Sequence, residues 1–143
     1  MLDERSVGAI VFRKRKRLEF LLLQYEGGYW DFVKGKREKG ERSRETLLRE
    51  LKEETSLEDA KLFNDFKERI TYIYKLGSER VLKEVVFYLT QVETREVMIS
   101  HEHIDFGWYE YEEAMKKLTY KNARDVLKKA YQFIIDREEN ILK

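Results

Sequence analysis

The chain has 143 residues, no cysteine, and a formal net charge of +1 although 40% of its residues are charged. That length suits one domain with one core. The absence of cysteine excludes disulfide and thiol chemistry, and so small a net charge argues against a broad nucleic-acid footprint. Without an apolar run of membrane length or a signal-like N-terminus, the expectation is a cytoplasmic monomer with no membrane attachment. Glutamate and lysine dominate the charge, which leans toward a thermophilic source, although the lack of proline runs against that lean.

In chain order, residues 6–13 (SVGAIVFR) and 19–25 (EFLLLQY) read as apolar, β-rich strands. The RKRKR run between them, residues 13–17, is read as a charged hairpin turn in preference to an RNA-contacting patch. Gly27 and Gly28 mark a turn, and residues 29–33 (YWDFV) form a short strand leading into Lys34 and Gly35. Next comes a helix over residues 44–54, with Leu47, Leu48 and Leu51 as its apolar stripe and Ser43 placed to cap it. Residues 66–76 alternate as a strand, Gly77 and Ser78 turn, and residues 81–92 return as a partner strand with an apolar middle. A strand at 106–109, a helix from about residue 112 and a last helix over about 122–138 complete the chain. The order β-β-β-α-β-β-β-α-α suits a single-domain α/β/α sandwich around a mixed sheet.

The first helix carries the chemistry. Glu50, Glu53 and Glu54 stand at i, i+3 and i+4 and therefore share one side, where like charges repel. Glu41 adds a carboxylate from the preceding loop, which Gly35 and Gly40 allow to bend tightly. Such a cluster becomes favourable when it holds a hard divalent cation, Mg²⁺ or Mn²⁺, shared with substrate phosphates. Arg49 lies within the cluster, where it could orient a glutamate through a bidentate pair. A solvated acidic face is the alternative for any bare ELKEE run.

The full spacing, G-x5-E-x7-R-E-L-x-E-E-x-S-L from Gly35 to Leu57, resembles the Nudix box. One position departs, Ser56 for the family's glycine, and a slightly altered helix exit is expected there, because a left-handed serine costs about 1 kcal/mol. Two further segments resemble the asymmetrical diadenosine tetraphosphate hydrolases of that family. One is Trp30-Asp31-Phe32-Val33-Lys34-Gly35, with Val33 for the usual proline; the other is Ser100-His101-Glu102-His103 ahead of Trp108.

The resemblance implies a Nudix-type fold and hydrolysis of a dinucleoside polyphosphate, releasing ATP and AMP from diadenosine tetraphosphate. It makes Glu50, Glu53 and Glu54 the principal metal ligands, with Glu41 and Glu102 in support. Glu50, Glu53 and Glu102 are the candidates for the general base, and Lys34 and Lys83 are placed on the phosphates. Tyr88, Trp30 and Tyr120 are either packing residues or stacking platforms for adenine. His101 and His103 are read as loop or structural residues rather than ligands, since Mg²⁺ prefers oxygen, and Trp108 as packing. Rival readings are a pyrophosphohydrolase of modified nucleoside triphosphates, ADP-ribose or RNA 5′ ends, and a nucleotide sensor without turnover.

Overall fold

The structure, a computed structural model, describes residues 2–14, 16–93 and 96–142, and of Leu2 and residues 139–142 only the backbone. Arg15, within the turn expected at 13–17, and residues 94–95 ahead of the 100–103 motif lie outside the described residues.

β1 (Leu2–Lys14) is the axis of a mixed sheet. One edge pairs in parallel with β6 (Glu79–Gln91) over residues 2–12. The other edge pairs antiparallel with β4 (Val33–Lys36) at residues 6–9, then with β2 (Leu18–Tyr25) at residues 12–14. β2 also pairs with the short β3 (Trp30–Asp31) and with β7 (His103–Tyr109). β5 (Lys61–Leu76) forms the expected hairpin with β6.

Side-chain alternation along these strands sorts the core into two faces. Val7, Ala9, Val11, Leu21 and Leu23 pack with Leu47 and Leu51 of α1 (Ser43–Thr55). Ile10, Phe12, Phe20, Leu22, Val85, Phe87 and Leu89 pack on the opposite face. They meet Ala114 of α2 (Tyr111–Lys117) and Ala123, Val126, Leu127, Ala130 and Ile134 of α3 (Lys121–Leu142). The sheet therefore lies between α1 and the pair α2 and α3, the expected α/β/α sandwich. No described helix is long and apolar enough to cross a membrane.

Local departures have local causes. The strand expected over 29–33 is two strands, because the Phe32 N–H donates to Oδ1 of Asp31 at 2.7 Å instead of to a ladder. The chain thus changes partner from β2 to β1, and Lys34 enters β4 instead of a loop. At α1 the cap is Arg42, not Ser43; the Arg42 N–H donates to Oε1 of Glu45 at 3.2 Å, and Ser43 is already helical. At the other end the expectation of an altered exit is corrected. Ser56 takes the left-handed conformation, φ 65° and ψ 12°, and its N–H donates to the Lys52 carbonyl at 2.9 Å.

Ser56 therefore carries strain that glycine would relieve. Ser56→Gly should stabilise the protein by about 0.5 to 1 kcal/mol, less than the full left-handed penalty because glycine loosens the unfolded chain. Equilibrium urea unfolding checks this as a rise in midpoint at constant slope.

Candidate active site

Arg49 organises the acidic helix. Its Nε and Nη2 donate to Oε2 and Oε1 of Glu41 at 2.7 and 3.0 Å, a bidentate pair. Nη1 donates to Oε1 of Glu50 at 2.8 Å and Oε2 of Glu53 at 3.2 Å, and Nη2 also reaches the Lys36 carbonyl at 3.2 Å. One guanidinium thereby ties the loop after β4 to α1. Glu41 also accepts from the Glu38 N–H and from Oγ1 of Thr46, each at 2.9 Å. These donors, Arg49 first, hold its carboxyl down to about 2. Glu50 behaves oppositely: burial pushes it up to about 7, Arg49 opposes, and the neighbouring charges of Glu54 and Glu53 add to the rise. Its side chain lies directly over Gly35, where a Cβ would come within 2.1 Å of the Glu50 carboxyl carbon. Glycine is required there for close approach, not for an unusual φ.

The end of α1 anchors the second acidic element. The N–H groups of Met98 and Ser100 donate to the carbonyls of Thr55 and Glu54, each at 3.1 Å, and the His103 N–H donates to the Ser100 carbonyl at 3.2 Å. These bonds bring Glu102 and His103 against Glu54. Oε2 of Glu54 is buried without a hydrogen-bond partner, 3.4 Å from Nε2 of His103. A buried, unpartnered carboxylate oxygen among other carboxylates fits a divalent cation, which would satisfy the oxygen and offset the repulsion together.

Glu50, Glu53, Glu54 and Glu102 line one cavity of about 1060 Å³. Lys34 and Lys36 of β4 and Lys83 of β6 line it as well, with Tyr29, Tyr72 and Tyr120. Two carboxylates hold the three lysines. Nζ of Lys34 is 2.7 Å from Oδ2 of the buried Asp31, while Lys83 and Lys36 lie 3.4 and 3.6 Å from Oε1 of Glu4, whose Oε2 accepts from the Tyr74 hydroxyl. Burial pulls Lys34 down, but Asp31 outweighs it and the ammonium is held above its usual range. Burial and the nearby Lys34 push Lys83 down.

Of the residues expected at the site, the cavity joins Glu50, Glu53, Glu54, Glu102, Lys34, Lys83 and Tyr120. Four others lie outside the lining, Arg49 among them, behind the glutamates that it holds. Glu41 is outside the lining, and its oxygens are already engaged by Arg49, Thr46 and Glu38. Tyr88 packs on the α1 face of the sheet. It stands five residues from Lys83, and an odd separation along a strand reverses the face, so Phe87 lines the cavity in its place. Trp30 packs beside the α2 and α3 core, edge-on to Tyr109 with ring centroids 5.9 Å apart and under Nζ of Lys117 at 4.5 Å. Its backbone still serves the site: the Trp30 N–H donates to Oγ1 of Thr119 at 2.9 Å, next to Tyr120.

Sequence reasoning missed Tyr29, Lys36, Asp31 and Tyr72 as lining residues. Tyr72 is the register partner of Lys83 across the β5 and β6 hairpin, so pairing the two strands residue by residue would have found it. Nothing in the sequence marks Asp31 beyond its place three residues before Lys34.

The family model described as the NUDIX domain matches residues 2–130. An asymmetrical bis(5′-nucleosyl)-tetraphosphatase of Mus musculus is 32% identical, over 91% of this chain and 95% of its own. The Caenorhabditis elegans Ap4A hydrolase, solved as a binary complex, superposes with a TM-score of 0.82 at 29% identity, covering 93% of this chain and 98% of its own. A dihydroneopterin triphosphate diphosphatase of Haemophilus influenzae is 27% identical, over 94% of this chain and 91% of its own.

Two outcomes follow from the geometry around Arg49. Arg49→Lys keeps the charge but loses the fork, and should weaken Mg²⁺ binding about 10- to 100-fold in calorimetric titration. In metal-free protein Glu50 binds its proton more tightly folded than unfolded. Its contribution therefore falls as pH rises from the usual carboxylate range through about 7. Urea midpoints in EDTA between pH 5 and 8 should show that decline, and Glu50→Gln should flatten it.

Proposed function

Because the chain belongs to the Nudix family of hydrolases, we propose that it cleaves diadenosine tetraphosphate asymmetrically, to ATP and AMP, with Mg²⁺ or Mn²⁺ held by its box carboxylates. The observation that carries this reading is the meeting, in one cavity, of a carboxylate cluster, three lysines and a group of tyrosines. A polyphosphate needs the first two, and a nucleobase the third. The volume, about 1060 Å³, is at the upper end of small-ligand sites, which run to about 1,000 Å³, and suits a long substrate. The mouse relative and the C. elegans structure point the same way.

Glu50, Glu53 and Glu54 would hold the ion, with Glu102 facing them from the segment before β7. When bound, the cation neutralises phosphate charge and lowers the pKa of the attacking water. Lys34, Lys36 and Lys83 bind the non-bridging phosphate oxygens; Asp31 and Glu4 keep the ammonium groups in place until substrate arrives. Tyr72 and Tyr120 offer faces for adenine. As the water oxygen bonds to phosphorus, the P–O–P link opens, AMP and ATP leave, and the proton passes to a carboxylate. Arg49 and Glu41 stay outside the reaction as positioning residues that aim Glu50 and Glu53.

Diadenosine tetraphosphate incubated with Mg²⁺ and resolved by anion exchange should give ATP and AMP in equal amounts. Glu54→Gln should lower the rate about 100-fold or more, as loss of a ligand exceeds loss of its support. Turnover of a nucleoside triphosphate or ADP-ribose in its place would retain the hydrolase and reject the dinucleotide. Among Glu50, Glu53 and Glu102, the general base is the one whose Gln variant loses kcat while Mg²⁺ affinity is kept. Tyr72→Ala and Tyr120→Ala should each raise KM roughly tenfold with a smaller change in kcat, the size expected of one base stack.

A further inference from the structure

The box carboxylates account for a hard cation, yet a histidine stands against them with no role. The His103 side chain is 0% exposed, and neither Nδ1 nor Nε2 has a hydrogen-bond partner. Orphaned buried nitrogens are costly, and they call for a ligand the protein does not itself supply. With nothing bonded at Nδ1, no tautomer is imposed, and Nε2 is free to present its lone pair.

That nitrogen is 3.4 Å from Oε2 of Glu54, itself buried and unpartnered. Two donors roughly 2.1 Å from one ion at a tetrahedral angle stand roughly 3.4 Å apart, so the spacing is that of ligands sharing an ion. The carboxylate of Glu102 completes the group, one ligand atom from each residue lying within 4.8 Å of the others. Backbone bonds from Ser100 to Glu54 and from His103 to Ser100 hold the two buried side chains together without any ion. Tyr25 packs edge-on to the imidazole, ring centroids 4.5 Å apart, and limits its rotation.

We propose that Glu54, His103 and Glu102 form a mixed nitrogen and oxygen position for one divalent cation that takes imidazole as well as carboxylate, Zn²⁺ or Mn²⁺, beside the all-oxygen position of Glu50 and Glu53. This deepens the hydrolase reading and rests on it, since Glu54 belongs to both positions. An imidazole ligand favours Zn²⁺ and, less strongly, Mn²⁺ over Mg²⁺. The cavity would therefore rank metals differently from a site built of carboxylates alone.

The chain has two histidines, His101 and His103, which makes the test specific. The 143-residue protein, stripped of metal, is loaded with Mn²⁺ and read by electron spin-echo modulation for coupling to an imidazole nitrogen. Wild type and His101→Gln should show the coupling, and His103→Gln should lose it. In parallel, Zn²⁺ and Mg²⁺ are titrated against melting temperature. His103→Gln, and Glu102→Gln as a second, exposed variant, should weaken the Zn²⁺ response at least about tenfold while His103→Gln leaves the Mg²⁺ response in place. Absence of nitrogen coupling in wild-type protein overturns the proposal whether or not His103→Gln folds, as does an unchanged Zn²⁺ response in both variants. Absence of any Mg²⁺ response in wild type is a separate result and counts against the hydrolase site itself.

Discussion

Carboxylates repel, and this protein gathers several of them on one short helix and the loop before it. Arg49 makes that gathering possible. Its fork takes both oxygens of Glu41 and reaches Glu50 and Glu53, so loop and helix become one unit around a single buried-edge cation. A lysine could not do this, having a point charge and no plane. Glu41 is consumed in fixing the guanidinium, which leaves Glu50, Glu53 and Glu54 aimed into the cavity. Gly35 serves the same end by leaving the space that the Glu50 side chain occupies.

The opposite charge is kept from collapsing onto this cluster. Lysines free to swing would pair with the box glutamates and close the cavity. Instead Lys34 is held by Asp31, and Lys36 and Lys83 by Glu4. The sheet sets these distances: β1 carries Glu4 and lies between β4, which brings Lys34 and Lys36, and β6, which brings Lys83. The result is two charge pools in one cavity, the lysines paired with Asp31 and Glu4 and the box glutamates left with a buried oxygen of Glu54 unpartnered, with room between them. Tyr29, Tyr72 and Tyr120 line the rest of that room.

Much of this was legible in the residues themselves. Helical spacing put Glu50, Glu53 and Glu54 on one side of α1, and two-residue alternation marked residues 66–76 as a strand. Both are periodicities of local backbone geometry, which need no partner to be read. The same geometry, applied to Lys83 and Tyr88 together, would have separated them, since residues five apart on a strand face opposite ways. Trp30 was harder, because its ring is claimed by Tyr109 and Lys117, far along the chain.

The carboxylate cluster of the box and the element order, apart from the divided strand at 29–33, were written in local pattern and spacing. Three matters were decided by packing between distant segments. Tyr72 joins the site because β5 and β6 pair in one register and not another. Asp31 meets Lys34 because the chain changes strand partner between them. His103 meets Glu54 because the segment before β7 hydrogen-bonds to the end of α1. Register, strand exchange and loop docking depend on contacts between residues remote in sequence, and no window along the chain contains both members of such a pair.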